Sequence, residues 1–159
     1  MRVDQIMTKQ VNSCSPDNTL AEAAQLMWDH DCGCLPVCTG NGASRVTGVI
    51  TDRDICMSAL FKGKPLSELR VSDAMSRQLQ ACRPSDSLAD AEKTMRQARI
   101  RRLPVVDEQG SLVGMISLAD LAREAARENT SPSRRSPRQR WAIRSRPSAS
   151  PLLSSSPPE

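Results

Sequence analysis

The chain is poor in rings. Among its 159 residues there is no tyrosine, a single phenylalanine and two tryptophans, which excludes an aromatic platform for stacked bases and leaves the core to Ala, Val, Leu, Ile, Met and Cys. Histidine is as scarce: His30 is the one imidazole, and no nucleophile and carboxylate stand at spacings that would build a dyad or triad around it, so no enzyme is expected. Long apolar runs are missing too. No stretch approaches the roughly 20 residues of a membrane span, and "MRVDQIMTKQ" has no apolar leader region. The expected location is therefore the cytoplasm, away from membranes. In that reducing compartment the six cysteines, Cys14, Cys32, Cys34, Cys38, Cys56 and Cys82, are expected as thiols and not as a disulfide framework.

Charge is present but unevenly placed. Residues 1–128 hold 16 Lys and Arg against 17 Asp and Glu, a balance of −1, whereas residues 129–159 hold six Arg against Glu159, a balance of +5. The net charge of +4 thus belongs to the tail, "NTSPSRRSPRQRWAIRSRPSASPLLSSSPPE". Its Ser, Pro and Arg cannot bury enough surface to offset the entropy of ordering, so residues 129–159 are expected to be disordered.

What the sequence does contain is a repeat. A shift of 68 residues superposes Val3 on Val71, Met7 on Met75, Cys14 on Cys82, Pro16 on Pro84, Leu20 on Leu88, Met27 on Met95, and "LPV" 35–37 on "LPV" 103–105. Beyond that point the shift drops to 66, because the loop "CTGNGASRV" is longer than "VDEQGSL"; Gly48, Ile50 and Asp54 then match Gly114, Ile116 and Asp120. An indel between matching stretches is what a surface hairpin tolerates. Each copy reads the same way. A helix with apolar residues at helical spacing starts behind a Thr19-x-x-Glu22 capping box, or behind Ser87. A hairpin follows ("LPVC" with "RVTGVI", "LPVVD" with "LVGMI"), and then a second helix, "TDRDICMSALFK" or "SLADLAREAARE". With a short strand ahead of the first helix, the unit is strand, helix, strand, strand, helix, in copies spanning 1–66 and 67–128.

Both copies close on one frame, "GVITDRDI" and "GMISLADL", that is Gly, two apolar residues, a hydroxyl, two variable positions, Asp and an aliphatic residue. A hydroxyl at Thr51 or Ser117 falls where a strand hands over to a helix, beside backbone N–H groups that attract phosphate. Asp54 or Asp120 returns to the same face about one helical turn later, where a carboxylate can accept hydrogen bonds from ribose hydroxyls. Gly48 and Gly114 allow close backbone approach. The same strings serve equally as capping boxes.

With the "IMT" and "AMS" starts, the apolar-faced helix, "LPV" and the closing frame in phase twice, residues 3 to 126 resemble a tandem pair of CBS domains, the regulatory repeats named after cystathionine β-synthase. The resemblance implies an α+β (α/β) module of two packed β-α-β-β-α repeats with pseudo-two-fold symmetry. Its two clefts bind adenosine-containing ligands such as AMP, ADP, ATP, S-adenosylmethionine or NAD as effectors, with no obligatory cofactor. It further implies a homodimer and an effector protein that reads the ligand state. In the family a basic residue just before the apolar-Pro-Val string meets phosphate, which points to Arg102 and its neighbour Arg101.

The two clefts are not expected to be equivalent. "RQARIRRLPV" brings Arg101 and Arg102 to the second copy, where the first has Gly33 and Cys34 with Asp29 and Asp31 close by. The expected ligand-binding residues are thus Thr51, Asp54, Ser117, Asp120, Arg102 and Arg101, with the second cleft favoured. The cluster His30, Cys32, Cys34 and Cys38 has C-x-C-x₃-C spacing, which is not that of a zinc site, so its thiols read as small buried residues and no metal is expected. A competing reading keeps the fold with degenerate clefts and assigns the function to the basic tail, whose six Arg and Trp141 suit nucleic acid or an acidic protein surface.

Overall fold

The computed structural model of the protein describes residues 1–40 and 45–130. Most of the tail and the longest part of the first hairpin loop lie outside the described residues, and so does the expectation of disorder after Thr130. The chain forms helices α1 (Leu20–Asp29), α2 (Asp52–Lys62), α3 (Leu88–Ala98) and α4 (Leu118–Thr130) and strands β1 (Cys34–Thr39), β2 (Arg45–Thr51), β3 (Arg102–Val106) and β4 (Leu112–Ser117). Single 3₁₀ turns occur at Val3–Gln5, Leu66–Glu68 and Val71–Asp73. Residues Met1–Arg123 make up one compact unit, and a second begins at Glu124. α4 runs past Glu128, where the sequence reading ended it.

The helices start where their caps dictate. The Glu22 N–H donates to Thr19 Oγ1 at 3.2 Å while the Thr19 N–H donates to the Glu22 carboxylate at 2.7 Å, closing the capping box on α1. Ser87 Oγ accepts from the Asp90 N–H at 3.1 Å to start α3. Leu20, Ala23 and Met27 of α1 and Ala91 and Met95 of α3 are the buried stripe. Each hairpin is antiparallel, pairing Cys34 with Thr51 in the first and Arg102 with Ser117 in the second. A bulge interrupts each ladder at the same place, after Val37 and after Val105. Strand β1 is buried along nearly its whole length, Cys34 and Cys38 included.

The leading strand of each copy is reduced to one residue. Cys14 bridges Val37 in parallel, its N–H donating to the Pro36 carbonyl at 3.1 Å and its carbonyl accepting from the Cys38 N–H at 2.8 Å. Cys82 does the same against Val105. Pro16 and Pro84 follow two residues later and, lacking an N–H, do not extend the ladder.

The segments ahead of those bridges exchange partners. Val3 is fully buried among Cys82, Ala91, Met95, Leu103, Val105 and Ile116 of the second copy. Val71, also fully buried, sits among Leu20, Leu35, Val37 and Ile50 of the first. Backbone bonds seal the exchange: Thr8 and Met115 trade two bonds of 2.9 Å, and Ser76 and Val49 trade bonds of 2.9 and 3.1 Å. The first N–H groups of α1 and α3 are taken by the carbonyls of Leu69 and Met1. Sequence repeats and packing halves therefore do not coincide. Two fully buried valines contribute about 2 kcal/mol each, a large part of a domain's usual ~5–15 kcal/mol, so each half draws a substantial share of its stability from the other's lead-in.

Gly48 and Gly114 owe their identity to this crossing. A Cβ on Gly48 would stand 2.4 Å from the Ser76 carbonyl oxygen, and one on Gly114 would stand 2.7 Å from Met7 Sδ and 2.9 Å from the Thr8 oxygen. Backbone cannot yield as a flexible side chain does. Gly48→Ala is expected to destabilise the protein by about 2–4 kcal/mol, measured by urea unfolding, whereas Gly63→Ala, whose Cβ meets nothing within 4 Å, should cost only the left-handed backbone term of about 1 kcal/mol.

Candidate ligand-binding cleft

The β3–β4 register places Arg102 directly across from Ser117. β4 then turns into α4 without a loop, and the cap of that helix is built from the repeated string. The Ser117 N–H and Oγ–H donate to Asp120 Oδ2 at 2.8 and 2.5 Å, while the Asp120 N–H donates to Ser117 Oγ at 3.3 Å. In the first copy Thr51 and Asp54 repeat this at 2.9, 2.7 and 3.2 Å. The hydroxyl-x-x-Asp frame is thus a capping box in both copies, and any ligand role is added to that one.

Arg102, Ser117 and Asp120 converge on one cleft of about 260 Å³, close to the lower end of the ~300–1,000 Å³ usual for small-molecule sites. Thr8, Gln10 and Asn12 of the exchanged lead-in and His30, Cys32 and Cys34 of the first copy also line it. Arg123 completes the wall and pairs with Asp120 Oδ1. Sequence reasoning missed Arg123. Its signal was legible, one helical turn after Asp120 on the same face, but no motif pointed to it. Arg101 is not among the lining residues; its backbone carbonyl accepts from the Leu118 N–H at 3.0 Å and so helps to close the start of α4. Asp31, which the sequence placed with the first copy, lines a larger groove of about 560 Å³ between α1 and α2, together with Met27, Trp28, Asp52, Ile55 and Cys56. That groove carries two carboxylates and no cation, so the smaller cleft suits an anionic ligand better despite its size.

Cys34 is buried where the two copies meet. Burial pushes its thiol up to about 11, opposed by the nearby Arg102 guanidinium and reinforced by Asp54 and Asp52. Burial likewise raises Cys14 to about 11 and Cys82 to about 12. These thiols are protonated at neutral pH, consistent with their reading as small core residues. All six cysteines are unpaired with one another. Among the described residues no group of three or more His, Cys, Asp or Glu is placed to hold a metal ion, and no helix is long and apolar enough to cross a membrane.

Comparison with known proteins bears on this geometry. The CBS domain model matches residues 3–60 and again 71–127. The chain belongs to the CBS-domain family. The CBS domain-containing protein YhcV of Bacillus subtilis is 43% identical over 120 residues, covering 76% of this chain and 82% of YhcV. The crystal structure of CBSX2 in complex with AMP superposes with a TM-score of 0.68 at 26% identity, over 80% of this chain and 98% of that one. Hypoxic Response Protein I, solved with two coordinated zinc ions, superposes with a TM-score of 0.69 at 32% identity, over 77% of this CBS pair's chain and 98% of its own. The sequence-based expectation of a CBS pair with an α+β fold holds.

The thiol environments make a direct prediction. At pH 8 a thiol reagent should label exposed Cys56 first and leave Cys14, Cys34 and Cys82 unlabelled until the protein unfolds, as read by intact mass. For these three, the folded thiol titrates above the unfolded one, so the unfolded state loses protons first as pH rises. Stability should fall from about pH 9 upward and be unaffected by these groups below it.

Proposed function

We propose that this chain is a regulatory module that binds an adenosine-containing ligand in the cleft of Arg102, Ser117 and Asp120 and signals the bound state to a partner protein. The observation that carries the reading is the convergence of a guanidinium, a helix start and a carboxylate in one cleft. The N-terminus of α4 and Arg102 favour a phosphate, and Asp120 is an acceptor for sugar hydroxyls. AMP in the related CBSX2 structure supports the class of ligand. The pseudo-equivalent Thr51 and Asp54 form a second half-site with Cys34 in place of Arg102, which leaves it weaker for anions. No step here needs catalysis, and the reading is of a sensor, not an enzyme.

Signalling follows from what the ligand would touch. Thr8, Gln10 and Asn12 belong to the lead-in that crosses between copies, so a ligand contacting them bears on how the halves pack. A ligand that favours one packing shifts the population toward it, and a partner that distinguishes the two packings reads the change.

The test is a thermal-shift titration with AMP, ADP, ATP, NAD, S-adenosylmethionine and adenosine, since a ligand that binds only the folded state raises its apparent stability. At least one should give a saturable shift. Asp120→Asn, which keeps an oxygen for the cap, should weaken that ligand about tenfold, and Arg102→Ala should weaken AMP more than adenosine. Unchanged affinity in both variants would remove this cleft from the ligand's path.

The partner for assembly is read as a second copy. Trp28 on α1 and Leu60 and Phe61 on α2 are 84%, 70% and 78% exposed, unusual for side chains of this size. By the 68-residue repeat Trp28 corresponds to Arg96, exposed on α3. Head-to-tail pairing of two copies would lay a ring over a guanidinium, a contact worth about 0.5–1 kcal/mol, where head-to-head pairing would oppose arginines. Light scattering should give twice the 17.4 kDa chain mass, and Phe61→Asp with Trp28→Glu should give a folded monomer.

A further inference from the structure

We infer that Arg123 sets the ligand class of the cleft, holding Asp120 against uncharged nucleosides and passing to phosphate when a phosphorylated one enters. The inference rests on the adenosine reading above and narrows it.

Both oxygens of the Asp120 carboxylate are engaged by the protein. Oδ2 takes the N–H and O–H of Ser117 at 2.8 and 2.5 Å, which are the cap of α4. Oδ1 takes the Arg123 guanidinium. A ribose diol reaching this carboxylate has to displace one side. The cap is the costly side, because opening it strands backbone groups at the helix start. Arg123 is the cheap side: its side chain is 66% exposed and can turn out into water, whereas Asp120, 13% exposed, stays in the cleft.

What the displaced guanidinium meets next depends on the ligand. An uncharged nucleoside takes its place on Asp120 and offers it nothing. A phosphate offers a replacement anion of matching geometry, and Arg102 on the neighbouring strand supplies a second guanidinium in the same cleft. Breaking one ion pair then makes another, and the net cost falls on the nucleoside alone. His30, Gln10 and Asn12 also line the cleft, but the side chains that bond the Asp120 carboxylate among the described residues are Ser117 and Arg123, so the exchange runs between Asp120, Arg123 and the ligand.

The other copy provides an internal contrast. The 66-residue repeat sets Met57 against Arg123, and the 68-residue repeat sets Cys34 against Arg102. Both cations are replaced by sulfur side chains while the hydroxyl-x-x-Asp cap is kept. The acceptor is therefore common to the two copies, and the cations that would select phosphate belong to one.

The experiment is isothermal titration of the full chain and of Arg123→Met with adenosine and with AMP, with circular dichroism confirming that α4 is retained. Removing the competitor for Asp120 should tighten adenosine about threefold, the scale of an exposed ion pair. Removing a phosphate partner should weaken AMP about tenfold. The preference for AMP over adenosine should thus fall about thirtyfold, and Arg123→Lys, which keeps the charge, should restore part of it. An unchanged AMP-to-adenosine ratio in Arg123→Met, or equal changes for both probes, would overturn the inference while leaving the adenosine reading intact. A native chain that binds neither probe would overturn both.

Discussion

The exchange of lead-in segments is the constraint on which the remaining structure depends. Val3 and Val71 are each buried in the half that their own repeat does not supply, and Thr8 and Ser76 complete the edges of hairpins that lie in the other copy. An isolated two-stranded hairpin is marginal in water. Here each is flanked on one side by a cysteine bridge from its own copy and on the other by a backbone segment from its neighbour, so its edge groups are satisfied. Gly48 and Gly114 are the points where this closure admits no side chain.

The same exchange makes the cleft. Without the crossing, Thr8, Gln10 and Asn12 would not face Ser117 and Asp120, and the start of α4 would be an ordinary capped helix end on a surface. With it, a helix start, two arginines and a polar segment from the other copy share one concave wall. The polar string that caps α4 is therefore presented to a concave wall with its cap intact. Near-symmetry of the fold coexists with asymmetry of charge, since the sheet register fixes where positions 34 and 102 lie and the sequence decides whether a thiol or a guanidinium stands there.

Much of this was legible in the sequence because it is local. Thr19 with Glu22 and Ser87 announce their helices through contacts within one turn. The "LPV" and closing strings fix both hairpins, and the burial of Cys14 and Cys82 follows from their repeated positions in the two copies. Other features were less legible. The leading strand reads as a strand from its pattern but pairs at one residue, because the prolines that follow cannot continue a ladder. The identity of the Gly48 and Gly114 neighbours was invisible, since a glycine signals close approach without saying by what.

Arg101 and Arg123 show where the boundary falls. Arg101 reads in the sequence as a second candidate behind Arg102; it stands just ahead of β3, where its carbonyl accepts from the Leu118 N–H, while Arg102, the first residue of the strand, lines the cleft. Arg123 lay in an unremarked stretch of helix and emerged as the partner of Asp120. By itself the sequence determined the repeat, the element types, the caps and which copy carries the cations, all set by propensity and by contacts between near neighbours. Only the tertiary structure decided which half each lead-in completes and which charges share a cleft, because those depend on packing between segments 27 (Val49 and Ser76) to 107 (Thr8 and Met115) residues apart, whose proximity no local pattern encodes.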